Sequence, residues 1–111
     1  MTNSVDLTNL RSMTDGDKDL ELVLFQEFYT STETIIQTMS ENCTNGNNET
    51  WRASAHSLKG MAYNLGAHPL GDLCKKAQDS PDASDKDKEA LLNLIKDEYV
   101  KVKIFLEGVY P

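Results

Sequence analysis

Apolar residues in this chain return every three or four positions over long stretches, and the helix-breaking residues collect between those stretches. That period belongs to an amphipathic helix, whereas a half-buried strand alternates every two. The chain has only three prolines and six glycines, and Gly16, Gly46, Gly66, Pro69 and Pro81 fall at the breaks. Asp15-Gly16-Asp17 is the first, a polar loop from Asn42 to Asn48 the second, Gly66 to Pro69 a short turn, and Asp79-Ser80-Pro81-Asp82 the last. No run of β-branched residues alternates with polar ones, so the reading is all-α.

Five helical segments lie between the breaks. Residues 6–13 form a short amphipathic piece through Leu7, Leu10 and Met13. Residues 17–43 carry Leu20, Leu24, Phe28, Ile35 and Met39, broadened by Leu22, Phe25, Tyr29 and Ile36. Residues 49–66 carry a regular seam of Trp51, Ala55, Leu58, Ala62 and Leu65. Residues 69–78 carry Leu70, Leu73, Cys74 and Ala77, with Pro69 suited to a first helical turn. Residues 83–109 carry Leu91, Ile95, Val102, Phe105 and Val109, flanked by Leu92, Tyr99 and Leu106. Asn47 or Asn48 can cap the third segment. Ser84 with Asp87 resembles a capping box for the last, with Ser80 a rival start. Each segment has one apolar stripe and needs partners. Short connections favour antiparallel neighbours, so an up-down-up-down four-helix bundle with a short additional N-terminal helix is expected. At 111 residues, the whole chain, 1–111, is read as one domain.

Eleven basic against eighteen acidic side chains leave a net charge of −7. This disfavours non-specific nucleic-acid binding, which needs Lys and Arg to neutralise phosphates. No apolar run approaches a membrane span, and the first residues lack the basic and apolar regions of a signal peptide, so a cytoplasmic address is expected. Cys43 and Cys74 then read as free, buried thiols, and two Asn-x-Thr triplets as chance matches.

The charge is uneven. Residues 1–48 carry two basic and eight acidic side chains, residues 79–111 five and eight, but residues 49–78 carry four and two. The one segment of positive balance holds His56. One residue is 100° around a helix, so His56 falls on the outer rim of the seam through Ala55. Arg52, Lys59, Gly60 and Tyr63 share that face at helical spacing. Gly60 is unusual, since a glycine inside a helix costs about 1 kcal/mol against alanine. It leaves a notch one turn from the imidazole, where another molecule can approach. An imidazole flanked by cations suits a transient anion on the ring. His68, before Pro69, reads as a solvated or capping residue.

The stretch His56-Ser57-Leu58-Lys59-Gly60, followed after four residues by Leu65-Gly66-Ala67, resembles the signature of histidine-containing phosphotransfer (Hpt) domains. Helix order and length agree over the whole chain. The resemblance implies that His56 accepts a phosphoryl group, Lys59 steadies it, and Gly60 gives the partner room to close over the ring. Leu58 would fix the helix, and Gly66 and Ala67 would shape the turn. Docking residues would be Arg52, Ser57, Gly60 and Tyr63, with apolar help from Leu7, Leu10 and Met13. The implied partners are receiver domains, one of a hybrid sensor histidine kinase and one of a response regulator. Each supplies its own divalent metal, Mg2+, and this chain binds no cofactor. In the family the distal ring nitrogen carries the phosphoryl group.

No P-loop or kinase glycine loop occurs, so the chain reads as a phosphocarrier without ATP-dependent kinase activity, a free-standing monomeric shuttle rather than a kinase fragment. The alternative is a helical adaptor that binds a kinase or response regulator without transferring phosphate. A metal or haem bundle would want Glu-x-x-His pairs or inward histidines, and neither is present.

Overall fold

A computed structural model describes residues 4–44 and 47–110. Asn45 and Gly46, the middle of the expected polar loop, lie outside the described residues, as do the first three residues and Pro111. The elements run α1 (Thr8–Thr14), α2 (Lys18–Asn42), α3 (Asn48–Leu65), α4 (His68–Asp79) and α5 (Asp85–Glu107). No strand occurs among the described residues. Helices α2 to α5 pack in a ring, each against the next and α5 back against α2, while α1 lies across α2 and α3. No helix among them is long and apolar enough to cross a membrane.

The caps explain where helices begin. Asp17 accepts a hydrogen bond from the Leu20 amide, Asn47 from Thr50, and Ser84 from Asp87. Ser84 therefore starts α5, and the rival Ser80 instead closes α4. Helix α4 begins one residue before Pro69, so His68 lies inside its first turn.

The α3 stripe is buried as the seam predicts: Trp51, Ala55, Leu58, Ala62 and Leu65 all face the core. Leu70, Cys74 and Ala77 of α4 do the same, with Gly71 beside them. Burying a leucine is worth about 2 kcal/mol, so Leu58, Leu65 and Leu70 alone anchor this helix pair firmly. Trp51 donates its indole N–H to the carbonyl of Ala77 at 3.1 Å. From α5, the buried Lys88 lies over the indole at 5.4 Å and donates to Asn48 Oδ1 at 2.6 Å. Cys43 and Cys74 are free and buried, and burial pushes the Cys74 thiol up to about 12.

Two stripes differ from the sequence expectation. In α2 the inward row is Glu21, Phe25, Phe28, Thr32 and Met39, leaving Leu20 and Leu22 at 44% and 41% exposure. Those leucines stand 100° to either side of Glu21 and cannot share its inward direction. The Glu21 carboxylate accepts from Tyr110 Oη at 2.7 Å and Thr14 Oγ1 at 2.8 Å, with Arg11 Nε at 3.8 Å. These donors, Tyr110 first, hold its carboxyl below the ordinary value although burial pushes the other way. In α5 the buried row is Lys88, Leu92, Ile95, Tyr99, Val102 and Leu106, an unbroken three-four spacing. Phe105 is left at the surface and Leu91 only partly covered.

The α3–α4 turn is set by Gly66. Its φ of +95° is left-handed, and its N–H and that of Ala67 return to the last turn of α3. The Asp6 amide donates to the Gly66 carbonyl at 2.9 Å, and a Cβ at Gly66 would run into the Asp6 carbonyl oxygen. The turn is thus the seat of the N-terminal segment.

Two stability changes should follow. Gly66→Ala should lower unfolding free energy by about 2 kcal/mol or more, from strain at positive φ and loss of the Asp6 contact, as read by urea denaturation. Thr32→Val should raise it by about 1 kcal/mol. The Thr32 hydroxyl is buried with no hydrogen-bond partner among the described residues, and valine keeps the shape without the polar atom.

Candidate functional site

His56 stands at the middle of α3 and is exposed. Its orientation follows from the fully buried neighbours Ala55 and Leu58, which leave its position on the outer face. Among the described residues the ring makes one side-chain hydrogen bond. Nδ1 lies 3.3 Å from Oε1 of Gln78, in the last turn of α4. An amide oxygen only accepts, so this contact is made by the tautomer that carries its proton on Nδ1. Nε2 then keeps its lone pair and has no hydrogen-bond partner among the described residues. A neutral imidazole so held offers a nucleophilic nitrogen to solvent.

Arg52 and Ser57 are exposed and Lys59 is partly buried. Among the described residues neither Arg52 nor Lys59 is paired with a carboxylate. Both charges are therefore uncommitted on the histidine face. Gly60 is exposed, and a Cβ there would meet nothing within 4 Å. No neighbour among the described residues requires glycine at that position.

Tyr63 is engaged differently. It is partly buried, and its ring covers Gly71, where a Cβ would run into it. Its hydroxyl donates to Asp72 Oδ1 at 2.7 Å, and that bond pushes the phenol up to about 12. The ring of His68 lies 5.9 Å away. Tyr63 thus closes the α3–α4 seam, about 10 Å along the helix from His56.

On the other flank, α1, α2 and α3 enclose an apolar groove of about 430 Å³. Met13, Leu24, Phe28, Met61 and Leu65 line it, with Asn64 at its edge one turn beyond Gly60. Met13 is 68% exposed, but Leu7 and Leu10 are buried, so of the three expected apolar contacts from the N-terminal helix only Met13 stands free.

Gln78 did not figure in the sequence reading. A signal for it exists: counting outward from the Gly66–Ala67 turn, position 56 is ten residues before and position 78 eleven after. In an antiparallel helix pair those positions face each other. Leu24 and Met61 as linings of one groove were also missed, since Leu24 reads as core in the second segment and Met61 stands only in the spacer of the motif.

The model of the Hpt domain family matches residues 23–103. The chain belongs to that family. In three dimensions it is similar to histidine-containing phosphotransfer protein B from Pseudomonas aeruginosa PAO1. That crystal structure is 25% identical in sequence, with a TM-score of 0.82 over 97% of this chain and 95% of that one. No curated protein matches the chain in sequence.

Since no packing demands glycine at 60, Gly60→Ala should stabilise the protein by about 0.8–1 kcal/mol through helix propensity. A higher urea midpoint with an unchanged slope is the expected result. A lower midpoint would mean that the space is not open.

Proposed function

We propose that this chain is the histidine phosphocarrier of a multistep phosphorelay, with His56 as the group that is phosphorylated. Supporting this is one arrangement: an exposed imidazole whose Nδ1 lies 3.3 Å from the Gln78 amide oxygen, leaving Nε2 free, on a face with two uncommitted cations. Membership of the Hpt family supplies the reaction class, histidine phosphotransfer.

The chemistry balances without a proton leaving the ring. The Nε2 lone pair attacks phosphorus of a receiver's aspartyl phosphate in line with the aspartyl oxygen. The N–P bond forms, the P–O bond breaks, and the carboxylate departs with the electron pair. The ring, still protonated at Nδ1, becomes cationic, and the Gln78 oxygen accepts a now stronger, charge-assisted hydrogen bond. Lys59 offsets charge on the phosphoryl oxygens, and Arg52 offers a second cation one turn away. Attack by the carboxylate of a second receiver reverses the step. Positioning and charge neutralisation carry such transfers. In this reading Mg2+ belongs to the receivers.

Gly60 keeps the surface low beside the ring, so a receiver can close over it. Ser57 and the groove at Met13, Leu24 and Met61 extend the docking face, a small interface fit for a short-lived complex. Tyr63 contributes its ring edge, its hydroxyl being held by Asp72. We assign the role to residues 1–111 as one domain acting as a cytoplasmic monomer. Its receivers would be those of a hybrid sensor kinase and of a response regulator. The adaptor reading is not favoured, since binding alone makes no use of a held, open imidazole.

Incubation with a phosphorylated receiver should put an acid-labile, alkali-stable phosphate on the wild-type protein and none on His56→Gln, with helicity by circular dichroism unchanged. Lys59→Ala should slow transfer roughly tenfold, the loss of one charge-assisted contact. Gly60→Arg should slow it further by filling the docking space. Label on His56→Gln at the wild-type level would overturn the assignment.

A further inference from the structure

Gln78 lies in the last turn of α4, where helices fray and carbonyls lack intrahelical donors. Its own contact with His56 is a single exposed hydrogen bond at 3.3 Å. Something else must hold that turn in register if the bond is to select a tautomer. Ala77, the residue before Gln78, is fully buried, and its carbonyl accepts two donors, the Trp51 indole N–H at 3.1 Å and the Ser80 amide at 3.4 Å. The indole bond is the shorter, is buried, and comes from the helix that carries His56. Trp51 stands five residues before His56, so one helix holds the imidazole and, through the indole, the chain segment that orients it. The indole is itself fixed. Trp51 has no exposed surface, and Lys88 lies over its ring while anchored to Asn48 at the start of α3.

We infer that Trp51 is a positioning residue for His56: its indole N–H pins the Ala77 carbonyl, sets Gln78 at the imidazole, and so holds the ring in the Nδ1–H tautomer that leaves Nε2 nucleophilic. In water a neutral histidine side chain carries its proton mainly on Nε2, the nitrogen that must be bare for attack. The form useful for transfer is thus the minor one in free solution, and a hydrogen bond to Nδ1–H is what reverses the preference. The inference rests on the proposed role of His56 for its functional meaning, but the tautomer is a property of the unphosphorylated protein and is measured without any transfer.

Trp51 is the chain's one tryptophan, so an atomic deletion is possible. Growth of a tryptophan auxotroph on β-(3-benzothienyl)alanine replaces the indole N–H by sulfur and keeps the shape of the ring. The readout is the His56 tautomer ratio, from long-range 1H–15N correlation at a pH where the ring is neutral, in wild type, the sulfur analogue and Gln78→Leu. Gln78→Leu should lower the Nδ1–H to Nε2–H ratio about fivefold, the worth of one hydrogen bond. The analogue should lower it at least about twofold, and the two changes together should do no more than Gln78→Leu alone, because they act through one bond. Trp51→Phe, if it folds, should behave as the analogue does, since it too lacks the donor. A merely structural tryptophan would lower the unfolding midpoint and leave the ratio alone. An unchanged ratio in the analogue beside a changed one in Gln78→Leu overturns the role of Trp51. An unchanged ratio in both overturns the whole chain of contacts. Neither result bears on whether His56 accepts phosphate, which the transfer assay decides separately.

Discussion

Everything on the outer face of α3 depends on how its inner face is buried. Trp51, Ala55, Leu58 and Ala62 have no exposed surface at all, and Leu65 almost none. Two alanines among three large residues let α2 and α4 close in on both sides of the helix, and close packing admits little rotation. A turn of one residue would carry Ala55 out and His56 in, exchanging a methyl group for an imidazole in an apolar core. The position of the imidazole is therefore held by side chains that never touch it.

That burial is also why so much was legible in the sequence. In α3 the stripe is strict, so the inward and outward faces could be read from spacing alone. In α2 and α5 the stripes are wide, and spacing could not say which of several adjacent rows faces inward. Glu21 took a buried position from Leu20 because Tyr110, 89 residues away, and Thr14 satisfy its carboxylate. Lys88 took one because Asn48 and the face of Trp51 receive its ammonium. Polar residues inside a bundle are admitted by partners from distant segments, and no local window contains both members. Gln78 escaped notice for the same reason: its importance lies in what stands across the helix pair.

The polar contacts divide the work between two ends of the molecule. Near Gly66, the Asp6 amide and the Glu21 cluster seat the N-terminal segment and the last residues of the chain. At the start of α3, Asn48, Trp51, Lys88 and Ala77 join three helices. His56 lies midway between these anchors on α3. Anchoring at both ends would suit the proposed role, in which the imidazole meets a partner's phosphoryl centre in line and small misplacements are costly.

The single bare nitrogen of His56 has a kinetic corollary. With Nδ1 committed to Gln78, one lone pair is left on one exposed face, and the proposed donor and acceptor would both need to cover it. They would then exclude each other, so exchange would run by double displacement, with the first receiver gone before the second arrives. The initial rate against one partner's concentration should give parallel lines in a double-reciprocal plot as the other is varied. An excess of unphosphorylated acceptor would inhibit by occupying the unloaded carrier. Flux would be governed by how much of the carrier is loaded, and this chain would act as a small reservoir between two pools.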